Sequence, residues 1–254
     1  MSIMLYVYAT SPYAAKVAAV LHYKRLPFSV VHVDPVRKRE LAFAPRKVVP
    51  TLRMDGEWRQ ESTDICLWLD ECFPARPVVC DNGPARERAL ALDRWVSEQV
   101  FPAFFRELVA HDGSYLRWLK DRYRYGATLS ASRKLPLPVR LLYPWAVQYT
   151  GFVRAHARAA DADEPLEEMR ERLVSEFVAQ LGEHAFLGGA TPTLADLALF
   201  PTVVMPWLIG LERIEPWLEN TTVQHWAMRV AQQLPEHPFL FPQDQCRRSL
   251  SELA

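Results

Sequence analysis

The 254-residue sequence carries little sulfur and no pattern that would put it to work. Its four cysteines, Cys66, Cys72, Cys80 and Cys246, match neither a redox pair nor a zinc knuckle. The start, "MSIMLYVYAT", has no charged segment ahead of a long apolar run. It reads as a strand and not as a signal peptide, so the thiols are expected to be reduced and the protein cytoplasmic. The seven histidines are scattered, with no His-x-x-x-His and no cysteine at ligand spacing, and no metal is expected. No Gly-x-Gly-x-x-Gly occurs, which removes the dinucleotide fingerprint. Net charge is also missing: thirty basic residues cancel thirty acidic ones. No global field favours nucleic acid, although local patches are compatible with a zero sum. No apolar run reaches the roughly 20 residues that span a bilayer. The nearest, "LPVRLLYPWAVQYTGFV" at 137–153, is broken by Arg140 and Pro144.

Half of the residues are apolar, enough for a well-filled core in one or two domains. "IMLYVYA" (3–9) is short, β-branched and aromatic, as a buried strand should be. "SPYAAKVAAVLHYKRL" (11–26) predicts a helix with Ser11 as N-cap and Pro12 in the first turn, where its missing N–H costs nothing. A second strand is expected over 27–35 and a short helix over 36–44. "VVPTLRMDG" and "EWRQES" are expected to form a hairpin around Asp55-Gly56, and a helix is expected over 62–73, entered at Ser62 as its default N-cap and stopped before Pro74. Cys66 on that helix reads as core. Beyond the Pro- and Gly-rich stretch at 74–84 nearly everything is helical. Helices are expected over 85–110 with a break at Pro102, over 164–184, from 193 with interruptions at Pro201 and Pro206, and over 221–234. Thr193 with Asp196 makes a capping box, a structural feature. Residues 110–160, rich in Arg, Tyr and Trp, give no clear period. These boundaries predict an α/β domain over 1–76, ordered β-α-β-α-β-β-α, and an all-α domain over 85–254.

Three places could carry chemistry. Val49-Pro50 opens a predicted strand, and a cis bond there would turn the backbone of Val49 toward the start of the first helix, free to pair with an extended peptide. A trans Pro on an edge strand is the plain alternative. Glu61-Ser62 places a carboxylate beside a helix start whose N–H groups suit an anion, so the pair could hold an amino-acid head group. "SPYA" (11–14) stands where thiol-redox proteins carry Cys-x-x-Cys, yet neither Ser11 nor Ala14 can form a thiolate, which excludes dithiol exchange. The nearest candidate base, His22, lies three turns along the same helix.

"SPYA", "VVPTL" and "ESTDI" followed by "PTLADLALF" resemble the cytosolic glutathione transferase superfamily. Within it, "DPVRK" and "RKVVP" are most similar to the microsomal prostaglandin E synthase type 2-like group, which typically reads Cys-Pro-Phe-Cys at "SPYA". The resemblance implies a thioredoxin-like unit that binds glutathione as co-substrate and an all-helical unit that walls a site for a small hydrophobic electrophile. It implies that Val49, beside Pro50, pairs with the cysteinyl part, that Glu61 and Ser62 hold the γ-glutamyl end, and that Lys47 or Arg46 takes the glycine carboxylate. The lysine that glutaredoxins place ahead of their first cysteine is missing, since Ala9 and Tyr8 stand there. It makes Ser11 the hydroxyl that polarises the glutathione thiol, with Tyr8 and Tyr13 as alternatives, whereas the local pattern makes Ser11 a helix cap. Trp95, Phe101, Phe104, Phe105, Tyr115 and Trp118 are candidates for the wall. A transferase or isomerase is the leading expectation and a non-catalytic binding protein the alternative. Homodimers are common in the superfamily, so the resemblance makes a homodimer possible, while the atypical 110–160 segment could block or rework the usual interface.

Overall fold

The computed structural model describes residues 1–35, 37–80, 83–110, 114–131, 138, 142, 145–146, 150–211 and 216–253. A four-stranded mixed sheet has the order β2-β1-β3-β4. Strand β1 (Ile3–Val7) runs parallel to β2 (Ser29–His32) and antiparallel to β3 (Thr51–Met54), which pairs antiparallel with β4 (Glu57–Gln60). The two-residue period of β1 divides its side chains. Ile3, Leu5 and Val7 join the main core, while Tyr6 turns to the other face beside Val33 and Leu41.

Helix α1 (Pro12–Tyr23) begins where the sequence predicts, with Ser11 as N-cap. It ends three residues early, at Arg25 in a left-handed conformation (φ 57°), with Leu26 N–H closing onto the Leu21 carbonyl at 3.0 Å. The second strand is shorter than expected. The helix expected over 36–44 is only a 3₁₀ turn, Arg39–Leu41, entered at Lys38 with φ 49°. The hairpin turns at Asp55 and Gly56, both with positive φ, as its strand twist requires.

At helix α2 (Ser62–Cys72) the expected cap is corrected. Glu61 occupies the cap position with φ 70° and no capping bond, and Ser62 is the first helical residue. Arg46 draws the Glu61 carboxylate outward into a 2.6 Å ion pair instead. Cys66 is fully buried in the core, and burial pushes its thiol up to about 12, so it is inert as expected.

Helix α3 (Gly83–Trp95) passes through one π turn, Val96–Val100, into α4 (Phe101–Val109). Pro102 lies in the first turn of α4, so the expected break appears as a widened turn ahead of the ring. Helices α5 (Tyr115–Ala131), α6 (Gly151–Ala157) and α7 (Leu166–Leu181) follow. Most of the apolar run at 137–153 falls outside the described residues. Among the described residues, no helix is long and apolar enough to cross a membrane.

Helix α8 (Leu194–Leu208) overturns the expected interruption: it continues through Pro201 and Pro206. Every residue in it except Trp207 is buried. Packing on all sides holds a helix that two prolines, at about 3 kcal/mol each in an exposed setting, would break. Its start is the expected capping box, extended beyond the sequence reading. Besides Thr193, the buried Asp196 accepts from Leu187 N–H at 2.9 Å and from Trp226 Nε1 at 2.8 Å. Trp226 lies on the last long helix, α10 (Thr221–Ala231), which follows the short α9 (Pro216–Glu219).

One core joins the sheet to the helices, because α1 packs against α8 across it. Two buried lysines on α1 and just after it reinforce that junction. Lys16 contacts both carboxylate oxygens of Asp93 on α3, at 2.6 and 2.8 Å, and donates to Thr63 Oγ1 on α2 at 2.8 Å. Lys24 pairs with Asp70 at 2.6 Å and donates to the Phe73 carbonyl at 2.7 Å, fixing the start of the connection between the units.

His22, on the same helix, sets a pH limit. Burial beside Phe28 holds its pKa below the usual imidazole value, and the charge of His237 pushes the same way. The folded state therefore prefers neutral His22, and its contribution is complete above the unfolded value of about 6.5. It is lost as pH falls through the lower folded value. The melting temperature is expected to drop between pH 7.5 and 5, and less steeply in His22→Gln. Equal slopes for the two proteins would remove His22 as the cause.

Candidate functional site at the start of the first helix

The turn from β1 into α1 brings Ser11 to the helix N-terminus in a buried position. Its Oγ accepts from Ala14 N–H at 3.4 Å, and its own N–H donates to the Tyr8 carbonyl at 3.0 Å. The cap uses a lone pair of the hydroxyl and leaves its proton to point elsewhere. A cavity of about 310 Å³ lies alongside. Ser11, Lys47, Val48 and Val49 form one wall, with Tyr8 and Lys38; Phe105, Tyr125, Leu129, Phe152 and Val153 form the other. The volume and the apolar lining with a few polar groups fit a small ligand.

The loop ahead of β3 is held from two sides. Gln60, buried on β4, donates to Thr51 Oγ1 at 2.9 Å and to the Arg46 carbonyl at 2.7 Å. Thr51 Oγ1 donates to the Val48 carbonyl at 2.8 Å, and Lys38 Nζ to the Lys47 carbonyl at 3.1 Å. The Val49–Pro50 bond within this loop is cis. On the helical side, Tyr125 Oη donates to the Thr10 carbonyl at 3.3 Å, and burial pushes its phenol up to about 12.

The structure divides the residues that the sequence singles out. Ser11, Lys47 and Val49 share the cavity. Glu61 and Arg46 line a separate, open depression along β4, each 61% exposed. Ser62 is buried at the start of α2, and Tyr13, Pro50 and Ser62 are not cavity-lining residues. The Tyr13 ring packs on Phe101 at 4.8 Å and on His156 at 5.6 Å. Burial, with the nearby charge of Glu61, pushes its phenol up to about 12, so Tyr13 stays protonated.

Of the six aromatic candidates for the wall, only Phe105 lines the cavity. Phe101 and Phe104 are buried in the core, Trp95 donates from Nε1 to Glu176 at 2.7 Å, and Tyr115 is exposed. Tyr125, Leu129 and Phe152 take their places from a stretch in which the sequence gives no clear period. Gln60 had a signal: the hairpin register places it opposite Thr51, on the inward side of β4. Among the described residues no group of His, Cys, Asp or Glu could hold a metal.

A thioredoxin-like sheet, a helical second part and a cleft at the first helix start define the architecture of a glutathione transferase. Residues 5–77 match the family model for the glutathione S-transferase N-terminal domain. The matched unit belongs to the glutathione S-transferase N-terminal domain family, and the chain as a whole is similar to the prostaglandin E synthase 2-like group. It is 24% identical over 280 residues to mouse prostaglandin E synthase 2, covering 94% of this chain and 72% of that protein. Human glutathione transferase theta-2, in complex with glutathione and an unknown ligand, superposes with a TM-score of 0.60 at 19% identity, covering 91% of this chain and 82% of that one. Rice OsGSTU1 in complex with glutathione gives a TM-score of 0.59 at 20% identity, covering 93% and 91%.

Proposed function

We propose that the protein is a glutathione-dependent transferase or isomerase acting on a small hydrophobic electrophile, with Ser11 polarising the glutathione thiol. The observation that carries this reading is the shared cavity: Ser11, Val49 and Lys47 on one side, apolar and aromatic side chains on the other. The backbone of Val49 pairs with the cysteinyl part of the tripeptide. The thiol then rests at the α1 N-terminus, where the Ser11 hydroxyl and the positive end of the helix favour the thiolate. Lys47 takes the glycine carboxylate. Glu61 takes the γ-glutamyl ammonium in place of Arg46, an exchange that costs little because the exposed Arg46–Glu61 pair contributes at most about 1 kcal/mol. The ionised sulfur attacks the electrophile, and the protein needs no cysteine of its own.

The competing reading is a glutathione-binding protein without catalysis, favoured by the fact that Ser11 already caps α1. Glutathione binding followed by titration of the bound thiolate's ultraviolet absorbance separates the two. A bound thiol pKa well below the usual thiol value of about 8.5, raised again in Ser11→Ala, is the expected result. Binding without a shift supports the non-catalytic protein, and no binding overturns both.

A further inference from the structure

The cavity beside Ser11 holds a polar residue that the thiol chemistry leaves unused. Thr10 lines it and is only 4% exposed. It sits in the turn between β1 and α1, which Ser11 N–H closes onto the Tyr8 carbonyl at 3.0 Å. Tyr125 Oη, from the helical wall, donates to the Thr10 carbonyl at 3.3 Å. Ala9, in the same turn, packs with Phe105 and Tyr125 in one apolar cluster. Thr10 therefore stands where the two walls of the cavity meet, next in sequence to the hydroxyl that faces the sulfur.

Among the described residues no hydrogen bond uses Thr10 Oγ1, and that oxygen is not sealed in the protein interior. Its neighbours around the cavity are engaged. Ser11 Oγ accepts from Ala14 N–H, Tyr125 gives its proton to the Thr10 carbonyl, and Lys38 Nζ donates to the Lys47 carbonyl. Thr150 Oγ1 accepts from Val153 N–H at 3.4 Å on an exposed residue. Burying a hydroxyl is unfavourable unless it is hydrogen-bonded, so the partner of Thr10 is whatever fills the cavity. Among the described residues no carboxylate lines the cavity, so negative charge arising on that partner meets no repulsion there.

We propose that the Thr10 hydroxyl donates to the oxygen of the second substrate, and that this substrate is an α,β-unsaturated carbonyl compound. The inference rests on the glutathione-dependent reading above and names the electrophile which that reading leaves open. The thiolate sulfur bonds to the β-carbon, and the electron pair of the C=C bond shifts toward the carbonyl, leaving an enolate with its charge on oxygen. Water protonates the α-carbon, and the proton that the thiol released to solvent restores the balance. Charge thus develops on an oxygen during the reaction, where a preorganised donor in a mostly apolar site stabilises it best. An alkyl halide sends its charge away with the leaving group and gives a buried hydroxyl no oxygen to hold. The side chains of Phe105, Leu129 and Phe152 suit the carbon skeleton of such a substrate.

The test compares two substrates with the whole protein: benzylideneacetone, an enone, and benzyl chloride, which carries no oxygen. The readout is the ratio of their kcat/KM values. Thr10→Val keeps the shape and removes the hydroxyl. It is expected to lower the enone-to-chloride ratio about 10²-fold, the usual loss when one donor to a developing oxyanion is removed. Thr10→Ala should do the same, and Thr10→Ser should restore the ratio. Thr10→Val should also melt no lower than the native protein, since its hydroxyl has no protein partner to lose. Equal losses on both substrates would assign Thr10 to the thiol or to the turn and overturn the proposal, as would an unchanged ratio. A ratio that falls in Tyr8→Phe and not in Thr10→Val overturns it by giving the oxygen to another hydroxyl on that wall. Native turnover of benzyl chloride without enone addition overturns this inference alone. A native protein that transfers glutathione to neither overturns the earlier reading and this one together.

Discussion

Ser11→Ala is expected to lower kcat/KM for glutathione transfer to an activated aryl chloride by about 10²–10³-fold, the usual effect of removing one donor from developing or resident negative charge. The loss in stability should be only about 1 kcal/mol, the cost of an N-cap. The two roles of this hydroxyl are separable because they use different parts of it. The cap needs an oxygen to accept from Ala14 N–H, and activation needs a proton to give to the sulfur. Ser11→Asp keeps the acceptor, removes the proton and places a like charge beside the thiolate. It should retain the melting temperature and still lose turnover, with a raised pH optimum for what remains. Ser11→Thr keeps both parts and should retain both properties. If Ser11→Asp were as active as the native protein, the hydroxyl would be a cap and nothing more.

Lys16→Met is expected to destabilise the protein by about 3–5 kcal/mol, because it strands Asp93 as a buried, unpaired charge. Asp93→Leu should cost a similar amount by stranding the lysine. The pair together, Lys16→Met/Asp93→Leu, should recover most of that loss, since an apolar pair of similar volume needs no desolvation of ions. Thr63 limits the recovery, as its hydroxyl then loses Asp93 Oδ2, a 2.8 Å acceptor. Urea unfolding measures all three, with the midpoint as the readout and an unchanged slope showing that the unfolded state is the same. Additive effects in the double variant would mean that the two charges act independently, against the geometry.

Much of the fold was legible where its signals are local. Ser11-Pro12 marks a helix start, Asp55-Gly56 marks a hairpin, and Thr193 with Asp196 marks a capping box, each within four residues of sequence. What escaped depends on distant partners. Glu61 pairs with Arg46, fifteen residues away, a contact that no local pattern announces. Pro201 and Pro206 failed to end α8 because burial from other elements outweighs their local preference. Lys16 looks like a solvated lysine on an alanine-rich helix, and only Asp93 on α3 gives it a reason to be inside. At the site the strand–helix wall was readable, since Ser11, Lys47 and Val49 sit on punctuated turns. The opposite wall was not, because α5 mixes Arg and Tyr on both its faces. Tyr125 turns in to Thr10 while Tyr123 turns out, a difference that residue type alone cannot encode.

Helix α1 carries Ser11 at its tip and is buried along nine of its twelve residues. It works as a strut clamped between sheet and helices, with its free end at the cavity. Whatever grips that end must loosen before the strut can leave its seat. A ligand present at about 100 times its dissociation constant, bound only to the folded form, therefore adds about 2.7 kcal/mol to the cohesion of the whole molecule and not only to its own corner. Occupancy of a small cleft becomes a property of the entire chain: the loaded protein resists heat and proteases far from the ligand, and the empty one is the form a cell would clear first.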